Sequence, residues 1–388
     1  MPSDAGRPAG RRAAGLRSTL YQILVVLLLV GLAAWMTETA RRAMQQRGIA
    51  SGFDFLLDRA GFAIGHAFFA FSPDDTYLQA FVVGLGNTLV VAAAGLVTAS
   101  LLGTVLGLSR LSGNWLLARA AGAYVELFRN TPQLVQIVFW YALFTLLPGP
   151  RQAMSLGDLA FFSNRGLLVP WPAEPVVLAV ALLLLVPGGA LGFWVLRWSD
   201  RRRRRGRATP APLALAGLAA LALPLAFWLV VGAPAGWSVP VLRGFNFAGG
   251  LALSPEFLAL YFGLSFYIAA FVAEIVRAGI LSVGRGQIEA AQAVGLPRTE
   301  LYRRIVFPQA LRVIVPPLAA QYISLVKNSS LGVAIGYPDL FSITNTVLTL
   351  SGHTIEAIAI MALVYLSLAL TIGALADIVN RAVRIRER

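Results

Sequence analysis

The sequence predicts an all-α polytopic membrane protein with about eight transmembrane helices. Of its 388 residues, 57% are hydrophobic and only 13% are charged, and the mean hydropathy is +0.72. A soluble domain usually carries about a quarter charged residues. A chain this long and this apolar therefore fits a bilayer better than water.

Eight stretches of the sequence are apolar over the length that a bilayer crossing requires, which is about 20 residues of helix. They lie at about residues 18–37, 78–108, 132–148, 176–196, 211–231, 255–275, 311–335 and 355–379. The first stretch is expected to remain as an anchor, because it is about as long as a full span and no small-residue cleavage pattern follows it.

The arginines predict the orientation of these spans. The chain has 32 basic residues, of which Lys327 is the one lysine, and 18 acidic residues, so its net charge is +14. With a cytoplasmic N-terminus, 24 of the 31 arginines lie in or at the edge of cytoplasmic segments. This is the distribution that the positive-inside rule describes. Both termini, including the tail 381–388, are therefore expected to be cytoplasmic.

The stretch "RWSDRRRRRGR", which contains the run Arg201–Arg205, allows two interpretations. It could bind anionic lipid or nucleic acid. It could instead serve as a topological anchor that closes the hairpin between the fourth and fifth spans, and the sequence favours this interpretation. Nucleic acid is accordingly not expected among the partners.

Metal and cofactor chemistry is not indicated by the residue inventory. The chain has no cysteine, and its two histidines, His66 and His353, are far apart in sequence. There is also no G-x-x-x-x-G-K-[ST] stretch to hold a nucleotide. We therefore predict no catalytic residue, no metal and no cofactor in this chain.

The segments on the outer side are expected to be ordered loops rather than domains. Residues 51–71 suggest an amphipathic helix on the outer surface, whereas 148–175 and 232–254 are rich in Pro, Gly and Trp. Within the second span, Ala99, Gly103 and Gly107 have the spacing that lets helix backbones approach closely.

A polar, alanine-rich loop lies between the sixth and seventh spans. Helix formers lead up to Gly295, which is a natural terminator, and Pro297 then suits the first turn of a second short helix, in which Glu300 and Arg304 form an i,i+4 pair. Small Ala290 and Ala291 would leave a flat face for a partner protein. The alternative is a solvated loop whose alanines merely favour a helix.

The spacing of this loop resembles the EAA motif of ATP-binding-cassette (ABC) importer permeases. The matching residues are Glu289, Ala290, Ala291, Gly295, Ile305, Val306, Phe307 and Pro308. Phe307 replaces the usual leucine. The stretches "GLGNTLVV", "YVELFRNTPQLVQ", "YIAAFVAEIVRAGI" and "LVKNSSLGVAIGYPDL" resemble the polar amino acid branch of the family, and the extra first span and arginine-containing hairpin resemble general L-amino acid permeases.

The resemblance implies the domain organisation and the partners. Residues 1–77 would form a tail, an anchor and a periplasmic segment, and 78–380 a type I permease domain with an extra hairpin at 176–231 and a coupling loop at 285–308. The loop would dock on a dimer of ABC ATPase subunits. A periplasmic binding protein would deliver an L-amino acid, and a second, homologous permease would complete the pore in the bacterial inner membrane.

Polar residues inside apolar spans are costly and usually face a bundle interior. Lys327, Asn328 and Ser329 are therefore candidates for the substrate pathway, although Lys327 could instead snorkel towards the interface. Asn87 and Thr88 are a second candidate. Two acid and arginine pairs with i,i+3 spacing, Glu274 with Arg277 and Glu126 with Arg129, would be local ion pairs or parts of an inner gate, and the local interpretation is favoured.

Two other functional classes are weighed against an ATP-driven permease. An autonomous carrier coupled to protons or sodium would normally carry acidic residues in mid-span, and these are nearly absent here. An intramembrane serine protease would need a serine and a base in register, for which Ser265 and His353 are the only evident candidates, without a Gly-x-Ser-x-Gly turn.

Overall fold

The structure is a computed structural model, and it describes residues 9–46, 52–65, 68–157, 159–204, 211–232 and 236–383. Helices dominate these residues, which confirms the all-α fold class. The helices are α1 (Ala9–Gln46), α2 (Tyr77–Ser109), α3 (Trp115–Asn130), α4 (Gln133–Thr145), α5 (Pro175–Arg204), α6 (Pro212–Val231), α7 (Pro255–Leu281), α8 (Arg285–Ala293), α9 (Arg298–Leu301), α10 (Phe307–Asn328), α11 (Leu340–Ser351) and α12 (Thr354–Val383).

Six of the predicted spans coincide with helices that are long and apolar enough to cross a membrane. These helices are Tyr77–Ser109, Val176–Ser199, Pro212–Val231, Pro255–Leu281, Arg298–Ile335 and Thr354–Arg381. The other two predicted spans fall on shorter apolar helical segments, Leu20–Met36 and Gln133–Thr145. The count of eight therefore stays a prediction.

The loops at 148–175 and 232–254 contain short strands that the sequence analysis did not predict. The strands are β1 (Met154–Leu156), β2 (Ala160–Ser163), β3 (Gly166–Val169), β4 (Trp171–Pro172), β5 (Trp237–Ser238), β6 (Val241–Arg243), β7 (Asn246–Ala248) and β8 (Leu251–Leu253). Four of them form an antiparallel sheet in the order β1-β2-β3-β8, and β4 pairs with β5 and β6 with β7. Strands of two to four residues are too short for an alternating pattern to be recognised.

The amphipathic helix expected over 51–71 is wrong. The described part of this segment contains only a 3-10 turn at Asp54–Leu57. It then folds back on the residues before α2, with the Ala60 N–H donating to the Asp75 carbonyl at 2.8 Å. Gly61, at φ +71°, supplies a backbone conformation that interrupts a helix. The apolar side chains of the segment do not form one helical face. Phe55 and Ala60 are instead buried in a cluster with Tyr77 and Ala80.

The described chain divides into two compact units, which lie within Met1–Asn87 with Pro338–Leu368 and within Thr88–Tyr337 with Ala369–Arg388. In the first unit, the buried core joins the segment before α2 to α11 and to the start of α12. Its buried members are Phe55, Ala60, Tyr77, Ala80, Phe81, Leu340, Ile343, Val347 and Ala357.

Helix α7 is the central element of the second unit, where α2, α3, α4 and α10 pack around it. A Cβ added at Gly103 would lie 2.6 Å from Val272 Cβ, and one added at Gly107 would lie 2.7 Å from the Ala273 carbonyl oxygen. Ala99 is fully buried. The small residues of the second span therefore do permit the close helix packing that their spacing predicts.

Candidate functional site

The first half of the loop between α7 and α10 is helix α8, which ends at the glycine that the sequence marked as a terminator. Gly295 has φ +74°. Its N–H donates to the Gln292 carbonyl at 2.9 Å, and the Leu296 N–H donates to the Ala291 carbonyl at 3.1 Å. This pair of bonds is a Schellman motif, which satisfies the last carbonyls of the helix and favours glycine at the left-handed position.

The second half of the loop is not a separate short helix, as the sequence suggested. After Pro297, α9 continues through a π-helical turn, Tyr302–Val306, directly into α10. The cause is local. Pro308 has no N–H to donate to the carbonyl four residues earlier, and the Phe307 N–H bonds instead to the Tyr302 carbonyl in the π register. The loop is therefore continuous with the seventh predicted span.

An apolar cluster fastens the loop to both neighbouring long helices. The buried members of this loop cluster are Val283, Ala291, Leu301, Val306, Ala310 and Ile314. Ile275 and Ile280 of α7 and Leu318 of α10 pack against it. A Cβ added at Gly279 would overlap with Ile314 Cγ1, so α7 and α10 touch closely at the cluster. The cluster therefore connects α8 to two long helices together.

The exposed face of the loop differs from the predicted one at one alanine. Ala291 is 4% exposed and belongs to the loop cluster, so it does not contribute to a flat outer face. Glu289, Ala290 and Gly295 are exposed as predicted. Phe307 is also exposed, whereas Ile305 and Pro308 are half-buried.

Two exposed apolar side chains on the same loop were not predicted. Val294 is 74% exposed, and the Tyr302 ring, also exposed, lies 6.0 Å from the Phe307 ring. A valine and two aromatic rings on a polar loop are consistent with a protein-docking surface. Glu300 and Arg304 form the predicted ion pair, while Glu289 has no ion-pair partner among the described residues.

Lys327, Asn328 and Ser329 lie at the end of α10, where the helix tightens into the 3-10 segment Ser329–Ile335. Lys327 is exposed. Asn328 Nδ2 donates to Gln133 Oε1 of α4 at 2.6 Å. Ser329 is fully buried and donates to the Val326 carbonyl at 2.9 Å.

Gln133 is a polar residue that the sequence reasoning missed as a candidate. Its side chain is 8% exposed, and its Nε2 has no partner in the described structure. The neighbouring Gln136 donates to the Phe128 and Thr131 carbonyls at 3.0 Å, but its Oε1 is unpartnered. Both glutamines stand in the quoted stretch "YVELFRNTPQLVQ". Gln133 and Gln136 therefore each retain a buried polar atom without a partner in the described structure, and Gln133 is bonded to Asn328, the residue after Lys327.

Asn87 and Thr88 are fully buried within α2. The Asn87 amide accepts from the Phe68 N–H at 3.2 Å and donates to the Pro338 carbonyl at 2.9 Å. It thereby joins two backbone segments of the first unit. Its partner in the second bond, Pro338, lies 251 residues further along the chain. These bonds give Asn87 a structural task, whereas its role in a pathway stays a prediction.

A carboxylate near the C-terminal end of α7 is shared by two arginines. Arg277 Nη2 donates to Glu274 Oε1 at 2.8 Å, which confirms this predicted pair, and Arg110 at the end of α2 bonds the other oxygen. All three side chains are about a quarter exposed. The second predicted pair is not formed: Arg129 lies over the Phe271 ring at 5.2 Å and makes no ion pair with Glu126.

The sequence model of the family described as binding-protein-dependent transport system inner membrane component matches residues 207–385. YhdX of Escherichia coli (strain K12) is 46% identical, over 96% of this chain and 95% of the relative. The general L-amino acid transport system permease protein AapQ of Rhizobium johnstonii is 41% identical, over 96% of this chain and 93% of its own length.

A third relative is the glutamate/glutamine/aspartate/asparagine transport system permease protein BztB of Rhodobacter capsulatus, which is 35% identical over 96% of this chain and 95% of its own length. The chain belongs to this permease family. The permease is an inner-membrane component of an ABC importer, and its task is transport rather than catalysis. The alternative hypothesis of an autonomous ion-coupled carrier gives way to this assignment.

Hydrogen bonds between helices of the permease add polar residues that the sequence analysis did not select. Thr98 Oγ1 lies 2.6 Å from the Tyr261 hydroxyl, and Ser100 Oγ lies 2.8 Å from the Tyr322 hydroxyl. The first bond joins α2 to α7 and the second joins α2 to α10. Such residues carry no motif, and only the packing of the helices reveals their partners.

The described residues of the permease contain no group of three or more histidine, aspartate and glutamate side chains that could hold a metal ion. His353 stacks on Phe55 with 4.5 Å between the ring centroids, and its Nδ1 lies 4.0 Å from Glu356 Oε2. His66, the other histidine, lies outside the described residues. This arrangement fits a packed histidine in the first unit.

Proposed function

We propose that the permease imports L-amino acids across the bacterial inner membrane, driven by two separate ATPase subunits that dock on the loop at 285–308. The printed names of AapQ and BztB support an amino acid substrate for this chain. Identity of 35–46% over nearly the whole chain supports the same substrate class.

The loop cluster is the observation that carries the coupling role. It joins exposed α8 to α7 and α10 through buried Ala291, Val306 and Ile314. Closure of the ATPase subunits on nucleotide would displace the exposed side of the loop, and the cluster would pass that displacement to two spans. A two-state bundle whose equilibrium is set by an event outside the bilayer is a common form of switching. ATP hydrolysis itself belongs to the partner subunits.

The docking surface comprises Glu289, Ala290 and Gly295, with Ile305, Phe307 and Pro308 at its edge. Glu289, which has no ion-pair partner among the described residues, offers its carboxylate to a basic group of the ATPase. Ala290 and Gly295 leave room for a close approach to the backbone, because neither carries a side chain beyond Cβ. Ala291 lies on the opposite, buried side of α8, where it packs in the loop cluster.

The remaining partners belong to the same proposal. A periplasmic amino-acid-binding protein delivers the substrate, and a second, homologous permease completes the pore. The core of the domain extends from 78 to 380, a range longer than the 207–385 of the family match. Both termini lie in the cytoplasm, as the arginine distribution predicts; the last residues of the tail, 384–388, lie outside the described residues.

The substrate passes close to the end of α10. Lys327 offers a cation for the α-carboxylate of an amino acid, and the next residue, Asn328, is bonded through its amide to Gln133. Ser329 fixes the turn that presents them. Glu274 and Arg277, with Arg110, hold the inner ends of α7 and α2 together. These ion pairs would break and form again as the bundle changes between its two states.

Reconstitution tests the proposal. Vesicles that hold the permease with its ATPase, its partner permease and its binding protein should take up amino acids when ATP is present at the ATPase side. Vesicles with this chain alone, under a proton or sodium gradient, should show none. Uptake by the chain alone would contradict the proposal and restore the ion-coupled carrier. Failure of the complete set to respond to ATP would also contradict it.

A further inference from the structure

The α5–α6 hairpin has one face built for tight packing. A Cβ added at Gly188 would lie 2.1 Å from the Ala220 carbonyl oxygen, and one at Gly192 would lie 2.6 Å from the Ala216 carbonyl oxygen. The two helices therefore meet through backbone and small side chains. The large side chains near the end of α5 point away from this contact, since Phe193 is 55% and Trp194 is 61% exposed.

These large side chains surround a pocket of about 310 Å³ near the end of α5. It is lined by Ala190, Phe193, Trp194, Arg197, Trp198 and Arg201. The apolar part of the helix ends at Ser199, so the pocket extends across the level at which the hydrocarbon gives way to headgroups. Tryptophans are enriched at this level because their rings are apolar and their N–H is polar.

One of the two arginines that line the pocket is stacked on an aromatic ring, and neither has an ion-pair partner among the described residues. The Arg197 guanidinium lies over the Phe193 ring at 4.5 Å, and Arg202, one position beyond the pocket, lies over the Trp198 ring at 4.6 Å. In the described residues neither of these arginines nor Arg201 forms an ion pair with a carboxylate. A stacked guanidinium keeps its N–H edge available, and that edge matches the geometry of a phosphate.

We infer that this pocket binds an anionic phospholipid. Its phosphate lies between Arg197 and Arg201, and its acyl chains run down the exposed faces of Phe193 and Trp194. Charge complementarity selects the occupant: a basic cluster directly after an apolar helix attracts anionic headgroups. Nucleic acid fits less well, because the aromatic faces that its bases would need lie within the apolar span. The rest of the arginine run, from Arg205 on, lies outside the described residues.

Tryptophan quenching by lipids with brominated acyl chains tests the inference on the intact chain in mixed micelles. Phosphatidylglycerol is compared with phosphatidylcholine that carries the same brominated chains. We expect phosphatidylglycerol to reach half-maximal quenching at a mole fraction at least about fivefold lower, as one favourable charge contact would give. Replacement of both Trp194 and Trp198 by Phe should remove the extra quenching by phosphatidylglycerol and so locate the lipid.

The variant Arg197→Gln/Arg201→Gln/Arg202→Gln should lose the preference for phosphatidylglycerol. The matched control Arg119→Gln/Arg151→Gln/Arg243→Gln, which removes the same charge from exposed positions elsewhere, should keep it. Soluble glycerol phosphate should not displace the lipid. Equal quenching of the wild-type chain by both lipids, a preference that survives the first triple change, or displacement by soluble glycerol phosphate or by RNA would each overturn the inference.

Discussion

Arg110 and Glu274 form an ion pair between helices α2 and α7 across 164 residues of sequence. The same carboxylate also accepts from Arg277, one turn further along α7, so that both of its oxygens are bonded to guanidinium groups. Because the three side chains are only about a quarter exposed, solvent screens them less than it screens a surface pair. The network therefore links the C-terminal ends of α2 and α7 by electrostatic attraction.

Replacement of Glu274 by Gln tests the strength of this tie. Two half-buried guanidinium groups would lose their counter-ion, and we expect the free energy of unfolding to fall by about 1–3 kcal/mol. The matched change Glu300→Gln breaks the exposed pair with Arg304 and should cost less than about 1 kcal/mol. Thermal unfolding of the purified chain in detergent measures both. Equal effects of the two changes would show that the network contributes no more than a surface pair.

Gly295→Asp tests the docking loop. The left-handed backbone at φ +74° costs a non-glycine residue about 1 kcal/mol or more, and a charged side chain would stand on the docking face. We expect the protein to insert normally but to lose co-purification with the ATPase.

The control for this change is Gly113→Asp. Gly113 is an exposed glycine with open space around it and no positive φ, so it receives the same charge without backbone strain. It should keep the ATPase. Undiminished co-purification and transport in Gly295→Asp would remove the loop from the docking surface.

Lys327→Met tests the substrate pathway. The change removes the cation that directly precedes Asn328 in α10 but nearly retains the length of the side chain. We expect ATP-dependent uptake to drop by about tenfold or more, as the loss of one charge-assisted hydrogen bond would give, with the complex still assembled. Lys327→Arg, which keeps the charge, should retain more uptake. If Lys327→Met transports at the normal rate, Lys327 has a structural role only.

The buried carboxyl of Asp339 is expected to make the stability of the first unit depend on pH. Burial raises the pKa of its carboxyl from 3.8 to about 6, although hydrogen bonds from the Ser342 N–H at 2.9 Å and the Tyr365 hydroxyl at 3.3 Å oppose the shift. Between these pH values the folded state holds a proton that the unfolded state has lost. The stabilisation by this group is therefore present at low pH and is lost as the pH rises through about 6.

Unfolding temperatures measured at several values between pH 4 and 7 check this prediction. Ionisation of Asp339 should lower the unfolding temperature of the wild-type chain as the pH rises. In Asp339→Asn the unfolding temperature should depend less on pH over this range. Asn retains an oxygen that can cap α11, so the helix start is preserved. An identical pH profile for the two proteins would show that Asp339 is ionised throughout the range.

The sequence predicted those features that depend on local chemistry. Apolar length marked the long spans, and an alanine-rich stretch that ends at Gly295 marked α8, because helix propensity and a left-handed terminator are local properties. Glu274 and Arg277 were paired by spacing alone. Arg110 was missed because nothing near it in sequence indicates a partner on α7.

Other features depend on packing and were therefore not predictable. Ala291 and Ala290 are equivalent by composition, and only the fold places one in the loop cluster and the other in solvent. The segment 51–71 has a helix-like apolar pattern, yet its described part folds back on the residues before α2 and buries Phe55 and Ala60 there. Among the short strands, β3 pairs with β8 and β4 with β5 across loops that are distant in sequence, and the remaining strands pair within one loop but are too short to show an alternating pattern.

The absence of cysteine from the chain permits the most direct measurement of the coupling claim. A single cysteine at Glu289, tested by disulfide or short-linker cross-linking in the assembled transporter, should join the permease to the ATPase subunit, and the yield should change when ATP binds. A cysteine at Arg243 in β6 serves as the exposed control and should not cross-link to the ATPase. Cross-linking at Arg243 instead of Glu289, in a transporter that is active, would contradict the account.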